Sequence, residues 1–343
     1  MQNNEENIIK YSDEIIKKFL DFIKKEKSLT AVSLDMNMNP YEVLGLVNYI
    51  KSNGINIAMK NTSDDIFMVN MGDYEFVERN KYSFSTNEVD EFKFIAIADT
   101  RLGSTSQQLS ILNDIYLKGH QMGYDNVILC GNISAGLYNL TNVYAETNFI
   151  NDTHSQIDYI VSHYPKVDGM KTYFITGKID DKHLSSKDKI NIGKRIADKR
   201  DDMIYLGENS CDVIIDKTVM RLFSSKLNKT YTVSYRTQQQ AMAFRSEDKP
   251  DIMLYGGLLQ SDKFTYRGIK ILSIPSVCAT TKEMSEKRYS NAIGAWYVTV
   301  KTNRKGKLES FRALSSLYYQ TSKDDYLNAK ILKEAVKTKK LVK

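Results

Sequence analysis

The sequence contains no apolar run of about 18 or more residues, which excludes a hydrophobic membrane-spanning helix. Its first residues, MQNNEENIIKYSDE, lack the basic and apolar regions of a signal peptide, so we expect a cytoplasmic protein without a membrane partner. The cysteines Cys130, Cys211 and Cys278 are odd in number and far apart, which favours reduced thiols over a disulfide framework. No CxxC spacing occurs, and the histidines are not paired with cysteines, so neither a zinc site nor a cofactor is predicted.

The net charge of +6 is unevenly distributed along the chain. Residues 1–90 contain 10 Lys and Arg against 15 Asp and Glu, a balance of −5, which leaves about +11 for the remainder. The stretch 327–343 has six lysines and one glutamate. A mildly basic chain is compatible with polyanion binding, but the charge alone does not identify a partner.

The N-terminal residues predict three helices followed by two strands. Apolar residues share one face of residues 12–26, with Ser12 or Asp13 as the cap, and a short second helix is expected over 29–35. Pro40 suits the first position of a third helix that is capped by Asn39 and ends at Gly54. Strand patterns at 55–60 and 66–70 flank the polar turn NTSDD. This order predicts a winged-helix domain over residues 1–75.

Winged helices bind either DNA or proteins, and both interpretations are open. In the DNA interpretation the third helix and the wing supply mostly uncharged contacts, because the domain is net acidic. The predicted DNA-binding residues are Asn39, Tyr41, Asn48, Lys51, Lys60, Asn61 and Thr62. The expected partner is then double-stranded DNA.

A polar connector is expected over 76–91, and from Phe92 the pattern changes to alternating strands and helices. Buried strands are predicted at FKFIAIAD, NVILCG, KTYFITG, MIYLG, DVIID, PDIMLYGG and KILSIPS, with helices near 106–119, 153–163, 188–198 and 234–245. Alternation of this kind predicts an α/β sandwich over 92–320 with functional loops at the strand ends. The segment KTNRKGK (301–307) indicates a basic β-turn, and 321–343 a basic helix or tail, both of which could contact DNA or remain solvated.

Six stretches, in order, resemble the calcineurin-like metallophosphoesterases, particularly a phage and plasmid-type branch with an N-terminal winged helix. They are ADTRLGS (98–104), LCGNISAGLYN (129–139), YPKVDGMKTYFITGKID (164–180), NIGKRIADKRDDMIYLGENSCDV (191–213), YTVSYRTQ (231–238) and KPDIMLYGGLLQ (249–260). The resemblance implies an α/β fold whose enzymes hold two divalent metals through DxH, GD, GNHD, a lone His and GHxH.

At those positions the metal ligands are largely replaced. DxH becomes Asp99–Thr100–Arg101, GD becomes Gly131–Asn132, and GNHD becomes Gly177–Lys178–Ile179–Asp180. The lone His falls near Ser224 or Ser225, and GHxH becomes Gly256–Gly257–Leu258–Leu259. The vestigial positions are therefore Asp99, Arg101, Asn132, Lys178, Ile179, Ser224, Gly257 and Leu259. Cations repel metal ions and offer no lone pair, so we predict a pseudoenzyme without catalytic residues or metal.

Two interpretations of this altered pocket compete. In the first, it is a relic in which Arg101 and Lys178 pair with Asp99 and Asp180. In the second, the two cations retain an affinity for phosphate, so that the pocket binds a nucleotide or a DNA backbone.

For the whole protein, the expected function is DNA binding in the replication of a mobile genetic element or its control, together with replication or transcription proteins. A sequence-specific transcription regulator, a protein adaptor without DNA binding, and a residual phosphodiesterase or nuclease using Asp99 and Asn132 are the alternatives.

Overall fold

The structure is a computed structural model that describes residues 11–52, 55–73, 80–84, 91–138, 142, 147–225, 232, 234–244 and 248–319. The chain divides into two compact units, residues 1–78 and 79–343. The predicted basic segment 321–343 lies outside the described residues. Within the described ranges, none of the helices has the length and apolar character needed to cross a membrane.

The N-terminal unit contains the three helices and two strands that the sequence predicts, plus one short strand. Its elements are α1 (Asp13–Phe22), β1 (Lys27–Ser28), α2 (Leu29–Met36), α3 (Pro40–Ser52), β2 (Ile55–Asn61) and β3 (Ile66–Asp73). Ser12 accepts a hydrogen bond from the backbone of Ile15 at the start of α1, which confirms it as the cap. The strand order is β1-β3-β2, and β2 and β3 form an antiparallel hairpin. The unpredicted β1 pairs with β3.

A small apolar core joins these helices to the hairpin. Phe19 of α1, Val32 of α2 and Leu46 of α3 are fully buried and lie in one cluster with Ile57 of β2 and Met68 of β3. Burial of such side chains contributes roughly 1.5–3 kcal/mol each. The amphipathic pattern of the sequence therefore corresponds to a real core in this unit.

The described residues of the C-terminal unit form two six-stranded sheets. Its strands are β4 (Lys81–Phe84), β5 (Glu91–Ile97), β6 (Asn126–Cys130), β7 (Lys171–Thr176), β8 (Met203–Glu208), β9 (Ser210–Ile215), β10 (Thr218–Ser224), β11 (Ile252–Gly256), β12 (Asp262–Tyr266), β13 (Ile269–Ser273), β14 (Ile293–Thr302) and β15 (Leu308–Tyr318). Its helices are α4 (Leu109–Gln121), α5 (Thr153–His163), α6 (Asp181–Leu184), α7 (Ile192–Ala197), α8 (Tyr235–Met242) and α9 (Lys282–Glu286). The seven predicted strands and the four predicted helices are all present.

The two sheets pack face to face. One has the order β15-β14-β5-β6-β7-β8, and the other has the order β12-β13-β11-β10-β9-β4. Side chains from both, including Phe94, Ile128, Leu222 and Leu254, share one buried cluster. Helices α4, α5 and α7 cover the outer face of the first sheet, and α8 packs on the second. This layering confirms the predicted α/β sandwich.

The expected polar connector over 76–91 requires a correction. Strand β4 lies within it and pairs in parallel with β9, so that residues 81–84 belong to the second sheet. Tyr82 and Phe84 pack against the core between the sheets. Alternation of exposed and half-buried residues along KYSF carries the strand signal, which is weak because only four residues take part. The predicted turn at 301–307 connects β14 to β15 as a hairpin tip.

Candidate functional site at the strand ends

The candidate site lies where neighbouring parallel strands end. Strands β5, β6 and β7 are adjacent and parallel, and so are β10 and β11 in the other sheet. Asp99 follows β5, Asn132 follows β6 and Lys178 follows β7. In α/β folds the loops after the carboxyl ends of parallel strands are the usual place for ligands. The predicted vestigial positions therefore come from the loops in which such a site is expected.

Asp99, Arg101 and Asn132 form a buried hydrogen-bonded group, which we call the strand-end cluster. The Oδ1 atom of Asp99 accepts bonds from Arg101 Nε at 3.2 Å, Arg101 Nη2 at 3.0 Å and Asn132 Nδ2 at 2.9 Å. The relative exposures are 0% for Asp99, 6% for Arg101 and 2% for Asn132. The predicted pairing of Arg101 with Asp99 is confirmed, and the pair is shielded from water.

The loop backbone brings these side chains together. All three cluster residues have positive φ, with values of 52° for Asp99, 46° for Arg101 and 58° for Asn132. The Arg101 N–H donates to the Asn132 carbonyl at 3.1 Å, which ties the two loops to each other. Such conformations cost free energy in residues with a side chain, so the surrounding contacts must hold them.

Two glycines allow the loops to approach Ser224 at the end of β10. A Cβ on Gly131 would lie 2.1 Å from the Ser224 hydroxyl, and one on Gly177 would lie 2.3 Å from the same atom. Gly131 also has a φ of +89°. The Ser224 hydroxyl and Asp99 Oδ2 are buried without a hydrogen-bond partner among the described residues. The glycines thus hold Ser224 in close contact with the strand-end loops.

The other positions that were predicted to be vestigial have structural roles. The backbone N–H of Ile179 donates to Asn132 Oδ1 at 3.0 Å, so that both ends of the Asn132 amide are engaged. Leu259 is fully buried in a small apolar cluster with Cys278 and Met284. A Cβ on Gly257 would lie 2.3 Å from the Ser225 carbonyl oxygen. These three residues shape the backbone and the packing.

The prediction that Lys178 pairs with Asp180 is wrong. Its amine lies 3.1 Å from Asp181 Oδ2, and the Lys178 side chain is 49% exposed. Asp180 is buried and accepts hydrogen bonds from the backbone N–H groups of Ile133, Ser134 and Gly177, at 3.2, 2.9 and 2.8 Å. Because these donors surround Asp180, Lys178 extends towards solvent and takes the next carboxylate along the chain.

A second buried polar group, which the sequence did not predict, connects Asp180 to His183. Ser134 Oγ donates to Asp180 Oδ1 at 2.6 Å and lies 3.1 Å from His183 Nε2, while Thr153 Oγ1 lies 3.0 Å from His183 Nδ1. Since the Ser134 proton is used on Asp180, His183 Nε2 donates to Ser134 and Nδ1 accepts from Thr153. All four side chains are at least 97% buried, so this Ser–His–Asp set holds loops together and is closed to substrate.

The pKa values of this buried group are shifted in opposite directions. Burial raises the pKa of Asp180 to about 6, against the hydrogen bonds from Ser134, Gly177 and Ile133. Burial also lowers the pKa of His183 to about 4, with the positive charge of Lys182 acting in the same direction and Asp152 opposing it. His183 is therefore neutral in the folded protein near neutral pH, in agreement with its hydrogen-bond pattern.

An open groove of about 800 Å³ adjoins this region, and we call it the lysine groove. It is lined by Leu137, Tyr138, Asn151, Lys178, Asp181, Lys182, Ser185, Ser186 and Lys187. Tyr138 also lines a small cavity next to Arg101. Of these residues the sequence singled out only Lys178. The lysine spacing in KIDDKHLSSKDK was the available signal, but such spacing is equally typical of a solvated surface.

The residues predicted to bind DNA occupy two places in the N-terminal unit. Tyr41 is 85% exposed and Asn48 is exposed on α3, whereas Lys51 is half-buried near its end. Asn39 caps α3, since its Oδ1 accepts from the Glu42 N–H and Glu42 Oε2 accepts from the Asn39 N–H, both at 2.9 Å. This confirms the predicted cap.

The remaining predicted residues lie at the hairpin between β2 and β3. Lys60 and Asn61 are exposed at the end of β2. Thr62 exchanges hydrogen bonds with the Asp65 backbone at 2.7 and 3.1 Å, which closes the turn. Lys60 is the positively charged residue among these three hairpin residues.

Several solved structures are similar to this chain. An archaeal phosphodiesterase has 11% identity and a TM-score of 0.36, with 65% of this chain and 99% of that chain covered. A predicted phosphoesterase from Streptococcus pneumoniae has 10% identity and a TM-score of 0.29, with 66% and 98% covered. The 5'-nucleotidase precursor from Thermus thermophilus has 7% identity and a TM-score of 0.38, with 74% and 60% covered. No protein-family model and no curated protein sequence matches the chain.

Proposed function

We propose that the protein binds DNA through its N-terminal unit and uses its C-terminal α/β unit as a phosphoesterase-like scaffold that does not hydrolyse phosphate esters. The observation that carries the DNA part is the polar surface of α3 and the β2–β3 hairpin, with Tyr41, Asn48 and Lys60 exposed. A role in the replication of a mobile genetic element or its control is part of the proposal, and it rests on the resemblance of the sequence motifs.

The N-terminal unit has the element order of a winged helix, namely three helices followed by an antiparallel hairpin. In that fold the third helix enters the major groove and the wing contacts the backbone. Few cations lie on this surface, so the predicted contacts are mainly hydrogen bonds from Asn48, Asn61 and the tyrosine hydroxyl. Such a surface would bind with a shallow salt dependence, because few phosphates are neutralised.

The proposed lack of hydrolysis follows from the donor set at the strand ends. Two divalent metals need several carboxylate, imidazole or amide oxygen ligands. Here Asp99 is the sole carboxylate of the strand-end cluster, and the Arg101 guanidinium already binds its Oδ1 atom. Asn132 directs its Nδ2 hydrogens to Asp99 and its oxygen to Ile179. The residues present do not fit a dinuclear metal centre.

A gel-shift assay with duplex DNA at several salt concentrations tests the DNA proposal. Wild-type protein is expected to shift the duplex, and Lys60→Ala should lower the affinity and reduce the slope of log affinity against log salt by about one. Asn48→Ala should also weaken binding, with the salt slope unchanged, because it removes an uncharged contact.

Lys25→Ala is the matched control for Lys60→Ala. Lys25 is an exposed lysine of the same unit, outside α3 and the hairpin, and its loss changes the charge equally. The affinity of the Lys25→Ala protein for duplex DNA should match that of the wild type. Absence of any shift with duplex or single strands would contradict DNA binding and favour a protein adaptor.

The scaffold part is tested separately by phosphodiester hydrolysis with added Mn²⁺. The expected result is no activity above that of an Asp99→Ala variant, because neither protein offers a metal-binding donor set. Hydrolysis by the wild type that Asp99→Ala abolishes would overturn this part of the proposal and leave the DNA part intact.

A further inference from the structure

We propose that the lysine groove binds the phosphate groups of a nucleotide, either free or within a nucleic-acid strand, with Lys182 and Lys187 as the phosphate-binding residues. The inference goes beyond DNA binding by the N-terminal unit, because every residue of the groove belongs to the C-terminal unit. It also requires no bond cleavage.

The first support is the charge of the groove. Its lining contains three lysines and one aspartate, which is a balance of three positive charges minus one, or +2. The aspartate is already engaged, since Asp181 Oδ2 accepts from Lys178 at 3.1 Å and from Asn209 at 3.3 Å. Among the described lining residues, two lysine charges therefore remain to be balanced, which matches a phosphate dianion.

The second support is the position of Lys182. Its amine lies 3.4 Å from the centroid of the Tyr138 ring, and the side chain is half-buried. Within the described part of the chain, Lys182 has no carboxylate at ion-pair distance. The carboxylate of Asp181 binds Lys178, and that of Glu283 binds Lys287 at 2.6 Å. A partly desolvated cation without a counter-ion interacts more strongly with an anion than a fully hydrated one does.

The partial burial of the Lys182 side chain also affects the pKa of its amine. Burial lowers the pKa of Lys182 to about 8, and the charge of Arg101 acts in the same direction, against that of Glu283. The amine is mainly protonated at pH 7, and a bound phosphate would stabilise its charge.

The third support is the way Tyr138 is held. The Asn151 side chain forms two hydrogen bonds with the Tyr138 backbone, accepting from its N–H at 2.9 Å and donating to its carbonyl at 2.6 Å. The backbone of Tyr138, whose ring supports the Lys182 amine, is thus held by these bonds without a ligand, which reduces the entropy lost on binding. Leu137 and the ring add apolar surface beside the lysines.

The size of the groove favours a nucleotide over an isolated phosphate ion. Its volume of about 800 Å³ lies within the range of small-molecule sites, which is roughly 300–1,000 Å³. Ser185 and Ser186 also line it, and their hydroxyls donate to the carbonyls of Asp181 and His183 at 2.9 and 2.7 Å. Their oxygen lone pairs can accept bonds from sugar hydroxyls or base amino groups.

Isothermal titration calorimetry of the full chain in EDTA tests the inference, with ATP and a short oligothymidylate as separate probes. Lys182→Met keeps most of the side-chain length and removes the charge, and it should weaken binding of at least one probe about tenfold or more. Lys182→Arg keeps a cation and should retain more of the affinity than Lys182→Met does.

Lys194→Met is the control, because Lys194 is an exposed lysine of α7 outside the groove. Its affinity should stay within about twofold of wild type, and thermal melting of each variant should show that it is folded. A Lys182 effect on ATP assigns the site to a free nucleotide, and an effect on the oligonucleotide alone assigns it to a strand. Equal affinities for Lys182→Met and Lys194→Met, or no binding of either probe, would overturn the inference.

Discussion

The strand-end cluster and the lysine groove both contain cations from the same set of loops, but they treat those cations differently. Arg101 is 6% exposed and donates twice to one carboxylate oxygen. In the groove, Lys182 and Lys187 face open volume, and Lys182 rests on an aromatic ring. A positive charge in the cluster is therefore neutralised inside the protein, whereas charge in the groove remains for a partner.

This difference bears on the proposed loss of a metal site. In the cluster the guanidinium takes the carboxylate that a metal would need, so Arg101 serves the stability of the loops. Lys178 stands where the GNHD motif of the similar family has a metal ligand, yet it lines the lysine groove and pairs with Asp181. The relic interpretation therefore fits Arg101, which pairs with Asp99. The phosphate interpretation stays a prediction, and our proposal assigns it to Lys182 and Lys187 instead of Arg101 and Lys178.

The largest expected effect is that of Arg101→Ala on stability. Removal of the guanidinium leaves the fully buried Asp99 with Asn132 as its remaining donor. Breaking a buried ion pair in this way costs roughly 3–5 kcal/mol of unfolding free energy, measured by urea denaturation. Adding Asp99→Asn to Arg101→Ala should recover part of the loss, because the uncompensated charge disappears.

Lys178→Ala is the control that sharpens the contrast between the two cations. Its ion pair with Asp181 is half-exposed, and such pairs contribute about 0–1 kcal/mol. Equal losses for Arg101→Ala and Lys178→Ala would contradict the assignment of Arg101 to the buried cluster.

A somewhat smaller effect is expected from Asp180→Ala. The substitution leaves three buried backbone N–H groups and the Ser134 hydroxyl without their acceptor. Unsatisfied buried donors cost about 1–3 kcal/mol each before the loops relax, so we expect a loss of about 3 kcal/mol in chemical denaturation. Asp181→Ala is the neighbouring control, with about 1 kcal/mol or less expected. A similar loss in both variants would show that Asp180 does not hold the loops.

The sequence predicted much of the fold because its signals are local. Apolar periodicity predicted the helices of the N-terminal unit. The strands β5, β6 and β7 are buried on both faces, so their sequences are almost continuous apolar runs, and these runs predicted them. The sequence did not predict β12 and β15, in which half-buried and exposed residues alternate, or β4, which has only four residues. It also did not predict the largely buried strands β10 and β14.

Only part of the site could be predicted from the sequence, because the choice of ion-pair partner depends on the direction in which each side chain leaves the backbone. Arg101 lies two residues from Asp99, so that its pairing could be expected from proximity. Lys178 is close in sequence to both Asp180 and Asp181, and the choice depends on the backbone N–H groups that surround Asp180. The Lys182–Tyr138 contact joins helix α6 to the loop that follows β6, and no local sequence pattern reveals it.

The last prediction concerns pH and the buried His183. Its pKa is about 4 in the folded state, against 6.5 for an ordinary histidine, so below pH 6.5 the unfolded chain takes up a proton that the native state does not. Stability from His183 is therefore present above pH 6.5 and is lost as the pH falls towards 4. Asp180 acts oppositely, since its pKa is raised from 3.8 to about 6 and its contribution is lost as the pH rises through that range. The two contributions largely cancel in the wild type between pH 4 and 6.

His183→Gln should remove one side of this balance. The wild-type advantage in unfolding free energy over the variant should shrink by roughly 1–3 kcal/mol between pH 6.5 and 4.5, as measured by urea denaturation at each pH. Relative to the wild type, the unfolding free energy of His183→Gln should rise on acidification, because the contribution of Asp180 is then no longer offset by that of His183. A difference that stays constant across this range would mean that His183 is not held neutral by burial.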